Sequence, residues 1–525
     1  MTTPADAGDA NAVDAPAVDA PAGATPARTT RPGKGHPQHG RRLLVAALLA
    51  GVLSMMVAAL GISVRAADVG AAAVDEPQYL LTATSLWEDG DLDISDERAA
   101  GRADAFYDGA LPVQTSVLQG GARISPHDPL LPVLLAPAVG LGGWVGAKIM
   151  LSVTAGLLAA AIAWVVGTRW KVPPMIAGTV AAVAGTSAPL AVYGNQVYPE
   201  LPAALVVVIA VAAILPRSTA QGGSTEQPRG WSPARALVLV LAITALPWLA
   251  VKYVLVAAAL AAVALVRMRS TDPRMAAFVT AILALSGAIW LTAHRLLYGG
   301  WTAYATGDHF AGSGEFGAVG FAPDYFGRST RLIGLLVDRD YGLAAWQPAW
   351  LLVIPAVGLL WGALRSGHRA ASSGVGVLTL PLLAGWLTAV FVALTMHGFW
   401  WPGRQLVVVL PLAAMLIAIA LARADLPARR VVLAAAGVMA TIGVLVQGWV
   451  LTAGQRGSLT WVGAPNVTPP APLGLLRSVL PDYRELGAAD WTLHALWVCA
   501  ALGLLVGGWV LGRRLHHNPV KDSTP

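Results

Sequence analysis

The sequence predicts an all-α, polytopic membrane protein with about twelve transmembrane helices, and three observations support this. Of the 525 residues, 56% are hydrophobic and only 12% are charged, with a mean hydropathy of +0.62. A soluble domain needs a more charged surface than that. Apolar runs long enough to cross the hydrocarbon core recur along the chain. The Lys and Arg residues concentrate in alternate connections between these runs, which is typical of cytoplasmic loops.

The apolar runs give the order of the predicted spans. The candidates are 43–64, 130–166, 174–193, 198–215, 236–250, 252–266, 275–298, 346–364, 375–396, 405–422, 431–452 and 491–512. The run 130–166 is expected to contain one re-entrant or interfacial piece and one span. The run 236–266 is interrupted by Pro247, Lys252 and Tyr253, so it forms either two short spans or one long kinked span. If this run forms two spans, all the basic connections fall on one side of the membrane, as expected for the cytoplasmic side.

The chain ends and the membrane region follow from composition. Residues 1–42 are rich in Ala, Pro and Asp and end in basic residues, which predicts a disordered cytoplasmic tail. Residues 43–64 exceed the apolar length of a signal peptide, so they are expected to remain as the first span, with a cleaved signal as the alternative. Residues 43–452 are predicted to form the main transmembrane region. The last span, 491–512, precedes a second cytoplasmic tail, 513–525.

Three long connections are predicted to face the exterior and to carry short interfacial helices: 65–129, 299–345 and 453–490. They contain most of the 29 Asp and Glu residues, and long polar segments of this kind usually carry function. The net charge is +6, but the basic residues are distributed according to the predicted topology and are not gathered on one face. No nucleic-acid partner is therefore expected. Cys499 is the single cysteine and lies in an apolar run, which excludes an intramolecular disulfide and a cysteine metal cluster.

Polar motifs recur where predicted spans meet the exterior. In chain order they are "VDEPQY" (Asp75, Glu76, Tyr79), "SPHDPLLP" (His127, Asp128), "YGNQVYPELP" (Tyr198, Glu200), "LPWLAVKY" (Lys252), "LLVDRDYGLAAWQPAW" (Arg339) and "HGFWWPGRQ" (His397, Arg404). Because Asp338, Arg339 and Asp340 would not enter hydrocarbon unpaired, their segment is predicted to be re-entrant or interfacial and not a span.

This ordered set resembles the GT-C class of integral-membrane glycosyltransferases, in particular the bacterial branch of aminoarabinose transferases and protein O-mannosyltransferases, over roughly residues 43–450. The resemblance implies a GT-C-like fold. It also implies transfer of a sugar from a polyprenyl-phosphate donor to a glycan, lipid or protein acceptor at the outer face of the cell membrane. The sequence departs from the aminoarabinose-transferase pattern at "SPHDPLLP", where those enzymes carry a Lys-Pro-Pro element. No nucleotide is required, and the sequence contains no Gly-rich phosphate loop.

The resemblance implies roles for the polar residues. Asp75 matches the acidic residue of the family's first loop and is expected to be the general base. Glu76 is expected to orient Asp75, or to hold a divalent metal cation with it, since adjacent carboxylates suit a hard cation. Lys252 and Arg404 are expected to contact the donor phosphate. His397 and Arg339 are further donor-binding candidates.

Structural readings remain open for each of these residues. Asp75 and Glu76 also suit a solvated helix start, and Lys252 suits a snorkelling side chain. His397 suits a cap on its span, and Arg339 suits an ion pair with its acidic sequence neighbours. Tyr79, His127, Asp128, Tyr198 and Glu200 are further site candidates, with polar helix capping as the alternative. The acidic run "EDGDLDISDE" is predicted to be a solvated loop, with a cation site as the alternative. Trp400 and Trp401 are candidates for stacking on a sugar ring.

Two other function classes remain open. A transporter or lipid flippase also has about twelve spans with both termini inside, although its ionisable residues are expected at the bilayer midplane and not in exterior loops. A catalytically inactive envelope scaffold is the third class.

The predicted orientation is testable by cysteine labelling. In a variant lacking Cys499, cysteines introduced at Ser95 and Ser458 are expected to react with a membrane-impermeant thiol reagent on intact cells, because both lie in predicted exterior loops. Protection of either position until the cells are lysed would contradict the orientation.

Overall fold

A computed structural model describes residues 36–118, 120–215, 231–308, 314–320, 322–365, 374–423 and 429–514. Most of these residues are helical, and no strand occurs among them apart from isolated bridges. The predicted all-α class is confirmed. Residues 1–35 and 515–525, which include most of the predicted tails, lie outside the described residues.

The described residues contain eight helices that are long and apolar enough to cross a membrane, together with four shorter apolar helices. The predicted total of about twelve spans therefore stays a prediction. In chain order the helices are α1 (His36–Leu60), α2 (Glu76–Glu88), α3 (Ser95–Ala99), α4 (Leu130–Arg169), α5 (Pro174–Gly185), α6 (Leu190–Tyr193), α7 (Glu200–Ile214), α8 (Pro233–Leu249), α9 (Val254–Thr271), α10 (Pro273–Tyr298), α11 (Tyr325–Arg328), α12 (Arg331–Val337), α13 (Leu343–Trp346), α14 (Val353–Arg365), α15 (Val375–Leu387), α16 (Leu410–Arg423), α17 (Arg429–Gln455) and α18 (Ala488–Arg514).

Two breaks in the apolar runs shape the fold. Helix α4 is interrupted at Gly142 and Gly143, and Gly143 has a φ of 59°, which glycine adopts readily. This break divides the run 130–166 into two pieces, as the sequence predicts. The run 236–266 forms two helices, because α8 ends before an extended Ala250 and a 3₁₀ turn, Val251–Tyr253, precedes α9. These two helices pack against each other.

The long connections carry short helices, as predicted. Helices α2 and α3 lie between α1 and α4, and α11 to α13 lie between α10 and α14. The segment that contains Asp338 and Arg339 forms the end of α12, a turn and α13, so it does not form a span.

Glycines allow two helix pairs to approach closely. A Cβ atom placed on Gly51 of α1 would lie 2.8 Å from the carbonyl oxygen of Gly156 in α4, and the reverse distance is the same. Between α14 and α18, a Cβ on Gly508 would clash with the backbone carbonyl of Pro355. A Cβ on Gly358 or Gly362 of α14 would likewise clash with the carbonyl of Leu505 or Trp509, and one on Gly512 of α18 with that of Leu359. This arrangement is the small-residue packing that membrane helices use in place of hydrophobic association.

Gly508→Leu is expected to destabilise the protein by about 1–3 kcal/mol, because the added side chain forces α18 away from α14. The measurement is the thermal unfolding midpoint of the detergent-solubilised protein. Gly503→Leu is the matched control, since a Cβ at Gly503 in the same helix meets no atom within 4 Å. Equal midpoints for the two variants would show that this contact does not hold α18 in place.

Candidate functional site

Two carboxylates and two cations meet where four helix ends converge. Asp75 is the N-cap residue of α2, and Glu200 is the first residue of α7. Lys252 lies in the 3₁₀ turn between α8 and α9, and Arg404 begins the 3₁₀ turn Arg404–Leu406 before α16. We call these four residues the charge cluster.

The charge cluster is a continuous chain of ion pairs. Arg404 donates from Nη2 to Asp75 Oδ2 at 2.9 Å and from Nε to Glu200 Oε1 at 2.8 Å. Lys252 Nζ lies 2.6 Å from the same Glu200 oxygen. Glu200 is fully buried, which is tolerated because two cations neutralise it. With equal numbers of positive and negative groups the cluster is formally neutral. Its exposed parts are the side chains of Lys252 and Asp75, at 29% and 23%.

Aromatic side chains orient Arg404. Its guanidinium carbon lies 4.1 Å from the centre of the Tyr198 ring and 5.6 Å from that of Trp400. The Tyr79 ring packs edge-on against Tyr198, with 6.4 Å between centres. A cation that lies above an aromatic ring is stabilised by the face of that ring. The guanidinium can still donate hydrogen bonds from its edge, in its own plane.

Asp75 also faces His127, on the side away from Arg404. His127 Nε2 lies 3.8 Å from Asp75 Oδ1, while its Nδ1 lies 2.8 Å from Ser125 Oγ. The Tyr79 ring is centred 4.6 Å from the His127 ring. Burial raises the pKa of Asp75, but Arg404 and His127 outweigh this effect and hold its pKa well below the usual carboxyl range. Asp75 is therefore ionised and a weak base while Arg404 remains paired with it.

Asp128 anchors the turn that carries Lys252. Its Oδ1 lies 2.8 Å from Nε2 of His294 in α10, and its Oδ2 accepts a hydrogen bond from the Val251 amide at 2.9 Å. Both Asp128 and His294 are buried. Asp128 thus fixes the backbone next to Lys252 from a position outside the charge cluster.

Glu76 has different partners from its neighbour Asp75. Its buried carboxylate accepts a hydrogen bond from the Val197 amide at 2.9 Å. Burial raises the pKa of Glu76, and the nearby Lys148 opposes that rise. Asp75 occupies the N-cap position, but its side chain makes no capping hydrogen bond within the described residues and pairs with Arg404 instead. The two carboxylates have different partners in this arrangement, and their predicted metal role stays a prediction.

His397 and Arg339 form their ion pairs in a second polar cluster. His397 Nε2 lies 3.2 Å from Asp338 Oδ2. Arg339 lies 3.4 Å from Asp490, in the first turn of α18, and 3.7 Å from Asp482, in the connection before it. It therefore does not pair with its sequence neighbours. The structure therefore separates these two candidates from the partners of Arg404. Their donor-binding role stays a prediction.

Seven of the predicted residues come together at or beside the charge cluster: Asp75, Tyr79, His127, Tyr198, Glu200, Lys252 and Arg404. Trp401 is fully buried in this structure, so it offers no exposed face on which a sugar could stack. Trp400 is only partly buried and lies beside Arg404.

Sequence analysis missed His294 and Lys148. Lys148 is fully buried in α4 and donates to the Ala71 carbonyl at 2.7 Å. Both residues are ionisable groups within otherwise apolar runs, which is a recognisable signal of a buried partner.

The fold and the site define a multi-pass α-helical membrane protein with a buried polar centre at converging helix ends. No family model and no curated protein matches the chain.

The chain is similar to two crystal structures of ArnT from Cupriavidus metallidurans. The structure bound to undecaprenyl phosphate has 14% sequence identity and a TM-score of 0.46, and the match covers 90% of this chain and 77% of that chain. The apo structure has 15% sequence identity and a TM-score of 0.47, and the match covers 89% of this chain and 76% of that chain. At these values the similarity assigns neither a family nor an activity.

Proposed function

We propose that the protein is a GT-C-like glycosyltransferase that moves a sugar from a polyprenyl-phosphate donor to a glycan, lipid or protein acceptor at the outer face of the membrane. The observation that carries the proposal is the pairing of Arg404 with both Asp75 and Glu200, with Lys252 alongside. This arrangement places a carboxylate base next to two cations suited to a phosphate. The family resemblance of the sequence motifs supports the same chemistry.

Arg404 and Lys252 are the proposed phosphate-binding residues. The guanidinium is planar and presents several donors, so it suits a phosphate group with two accessible oxygens. Lys252 adds a second positive charge and is the more exposed of the two cations, with 29% of its side chain accessible against 12% for Arg404. A lipid phosphate that enters at the exposed edge of the charge cluster therefore meets Lys252 first.

Asp75 is the proposed general base in a single displacement. The acceptor hydroxyl oxygen forms a bond to the anomeric carbon, and the bond between that carbon and the phosphate oxygen breaks. The electron pair of the broken bond remains on the phosphate, where Arg404 and Lys252 stabilise the added charge. Asp75 takes the hydroxyl proton. The products are the glycosylated acceptor and the polyprenyl phosphate.

Arg404 also controls the basicity of Asp75 in this proposal. While Arg404 donates to Asp75, it lowers the pKa of Asp75 and so weakens Asp75 as a base. A donor phosphate competes for the same guanidinium. Because the loss of a cationic partner raises a carboxyl pKa, donor binding is expected to raise the pKa of Asp75 and to make it a better base.

The position of the charge cluster favours an enzyme over a transporter. The four residues lie at the ends of helices or in the turns between them, and none lies in the middle of a described span. Transporters instead place substrate and ion sites near the bilayer midplane, at broken helices.

Asp75→Asn is expected to reduce sugar transfer by about two to four orders of magnitude, because the amide keeps the shape of the carboxylate and loses its basicity. The assay is transfer from a radiolabelled polyprenyl-phosphate sugar in membranes, with the amount of folded protein measured in parallel. Asp68→Asn, an exposed carboxylate in the same connection, is the matched control and should retain activity. Wild-type activity of Asp75→Asn would reject the proposed base.

Arg404→Ala is expected to raise the KM for the polyprenyl donor more than Arg404→Lys does, because Lys keeps the charge but not the planar geometry. The alanine variant should also lose activity at a higher pH than wild type. Without Arg404 the pKa of Asp75 rises, and the ionised base is lost as the pH falls through that raised value. The measurement is kcat/KM as a function of pH. Unchanged KM values together with an unchanged acidic limb would remove Arg404 from the site.

A further inference from the structure

The acidic run 88–97 is not the fully solvated loop that the sequence predicts. Asp89, at the C-terminal end of α2, and Asp96, in the first turn of α3, are exposed. Glu97, the next residue of α3, is only 2% exposed. Within the described part of the chain, both of its carboxylate oxygens are buried and neither has a hydrogen-bond partner. An unpaired buried carboxylate is costly, so this one requires an explanation.

The other three carboxylates of the run already have partners. Glu88 forms an ion pair with Arg102 at 2.7 Å. Asp91 accepts hydrogen bonds from the Ser85 hydroxyl and the Asp93 amide. Asp93 accepts from the Ser95 amide and hydroxyl and from the Arg123 amide. These contacts fold the loop, and within the described residues they leave Asp89, Asp96 and Glu97 without a cationic side chain as an ion-pair partner.

The three remaining carboxylates converge. One oxygen from each of Asp89, Asp96 and Glu97 lies within 4.8 Å of the others. Among the described residues none of the three forms a salt bridge, because the nearby Arg102 is paired with Glu88 and Arg98 donates to the Leu111 carbonyl. Three like charges that converge without a cation repel one another strongly.

We infer that Asp89, Asp96 and Glu97 form a binding site for a divalent, oxygen-preferring cation, with Ca²⁺ as the best match. The three donors are all carboxylate oxygens, which select hard cations over zinc or copper. Ca²⁺ binds oxygens at about 2.3–2.6 Å in a flexible geometry, so one ion can contact all three groups. Mg²⁺ requires shorter distances and stricter octahedral geometry, and it gives up its water less readily.

A further observation agrees with a cation at this position. Asp89 is the C-cap residue of α2, and the C-terminal end of a helix favours positive charge. A bound ion would join the end of α2 to the start of α3. The inference does not depend on the proposed glycosyl transfer.

The test is calcium binding by the purified full-length protein in detergent, after treatment with EDTA and exchange into chelator-free buffer. Equilibrium dialysis with ⁴⁵Ca²⁺ is expected to show one saturable site, and CaCl₂ is expected to raise the thermal unfolding midpoint, because a ligand that binds only the folded state stabilises it. MgCl₂ at the same concentration should raise it less.

Variants distinguish this site from non-specific binding to an acidic surface. Glu97→Gln and Asp89→Asn are each expected to weaken Ca²⁺ binding by about tenfold or more, because the number of charged ligands sets the affinity. Asp104→Asn, an exposed carboxylate in the same connection, should bind as wild type does. In EDTA, Glu97→Gln should unfold at the same temperature as wild type or higher, which shows that it folds.

Either of two results would overturn the inference. The first is no saturable ⁴⁵Ca²⁺ binding to the wild type, in which case Asp96 and Glu97 share a proton and not a cation. The second is equal Ca²⁺ affinity in wild type, Glu97→Gln and Asp89→Asn, which would place the bound ion elsewhere.

Discussion

The paired contact of Arg404 with Asp75 and Glu200 is the interaction on which the organisation of the site depends. It joins three parts of the chain that are far apart in sequence: the start of α2, the start of α7 and the turn before α16. Buried ionised groups are stable only when they are paired. The burial of Glu200 therefore requires Arg404 and Lys252 to be in place, and their positions fix the surrounding turns.

The same interaction links stability to the proposed chemistry. A cation that neutralises two carboxylates in the resting protein is also the group best suited to a donor phosphate. If Arg404 moved its hydrogen bond from Asp75 to the donor phosphate, the same exchange would bind the donor and make Asp75 a stronger base. Functional sites often retain such competing interactions, which sacrifice some stability for activity. The aromatic contacts with Tyr198 and Trp400 would hold the guanidinium in position during such an exchange.

The sequence predicted the all-α class and the residues of the charge cluster, because ionisable residues at the ends of apolar runs need polar partners. It did not predict which residues pair, since pairing depends on how distant helix ends meet. In the sequence, His397 and Arg339 are ionisable residues beside apolar runs, as Arg404 is. Their partners are nevertheless different ones: Asp338, Asp482 and Asp490.

The sequence also does not show which side chains of a polar segment are buried. The run 88–97 reads as solvated because it is acidic, yet Glu97 is buried in the folded protein. The division of 236–266 into α8 and α9 was left open because Pro247 and Lys252 suit both a kink and a turn. In the structure, Ala250 is extended and a 3₁₀ turn follows it, so the run forms two helices.

The most direct measurement of the central claim is mass spectrometry of envelope glycans, glycolipids and glycoproteins from a deletion strain and from that strain complemented with wild type or Asp75→Asn. We predict that the deletion removes one sugar from one class of acceptor, that wild type restores it, and that Asp75→Asn at equal protein level does not. The missing sugar would identify donor and acceptor together. An unchanged glycan profile in the deletion strain, or full restoration by Asp75→Asn, would contradict a glycosyltransferase that uses Asp75 as its base.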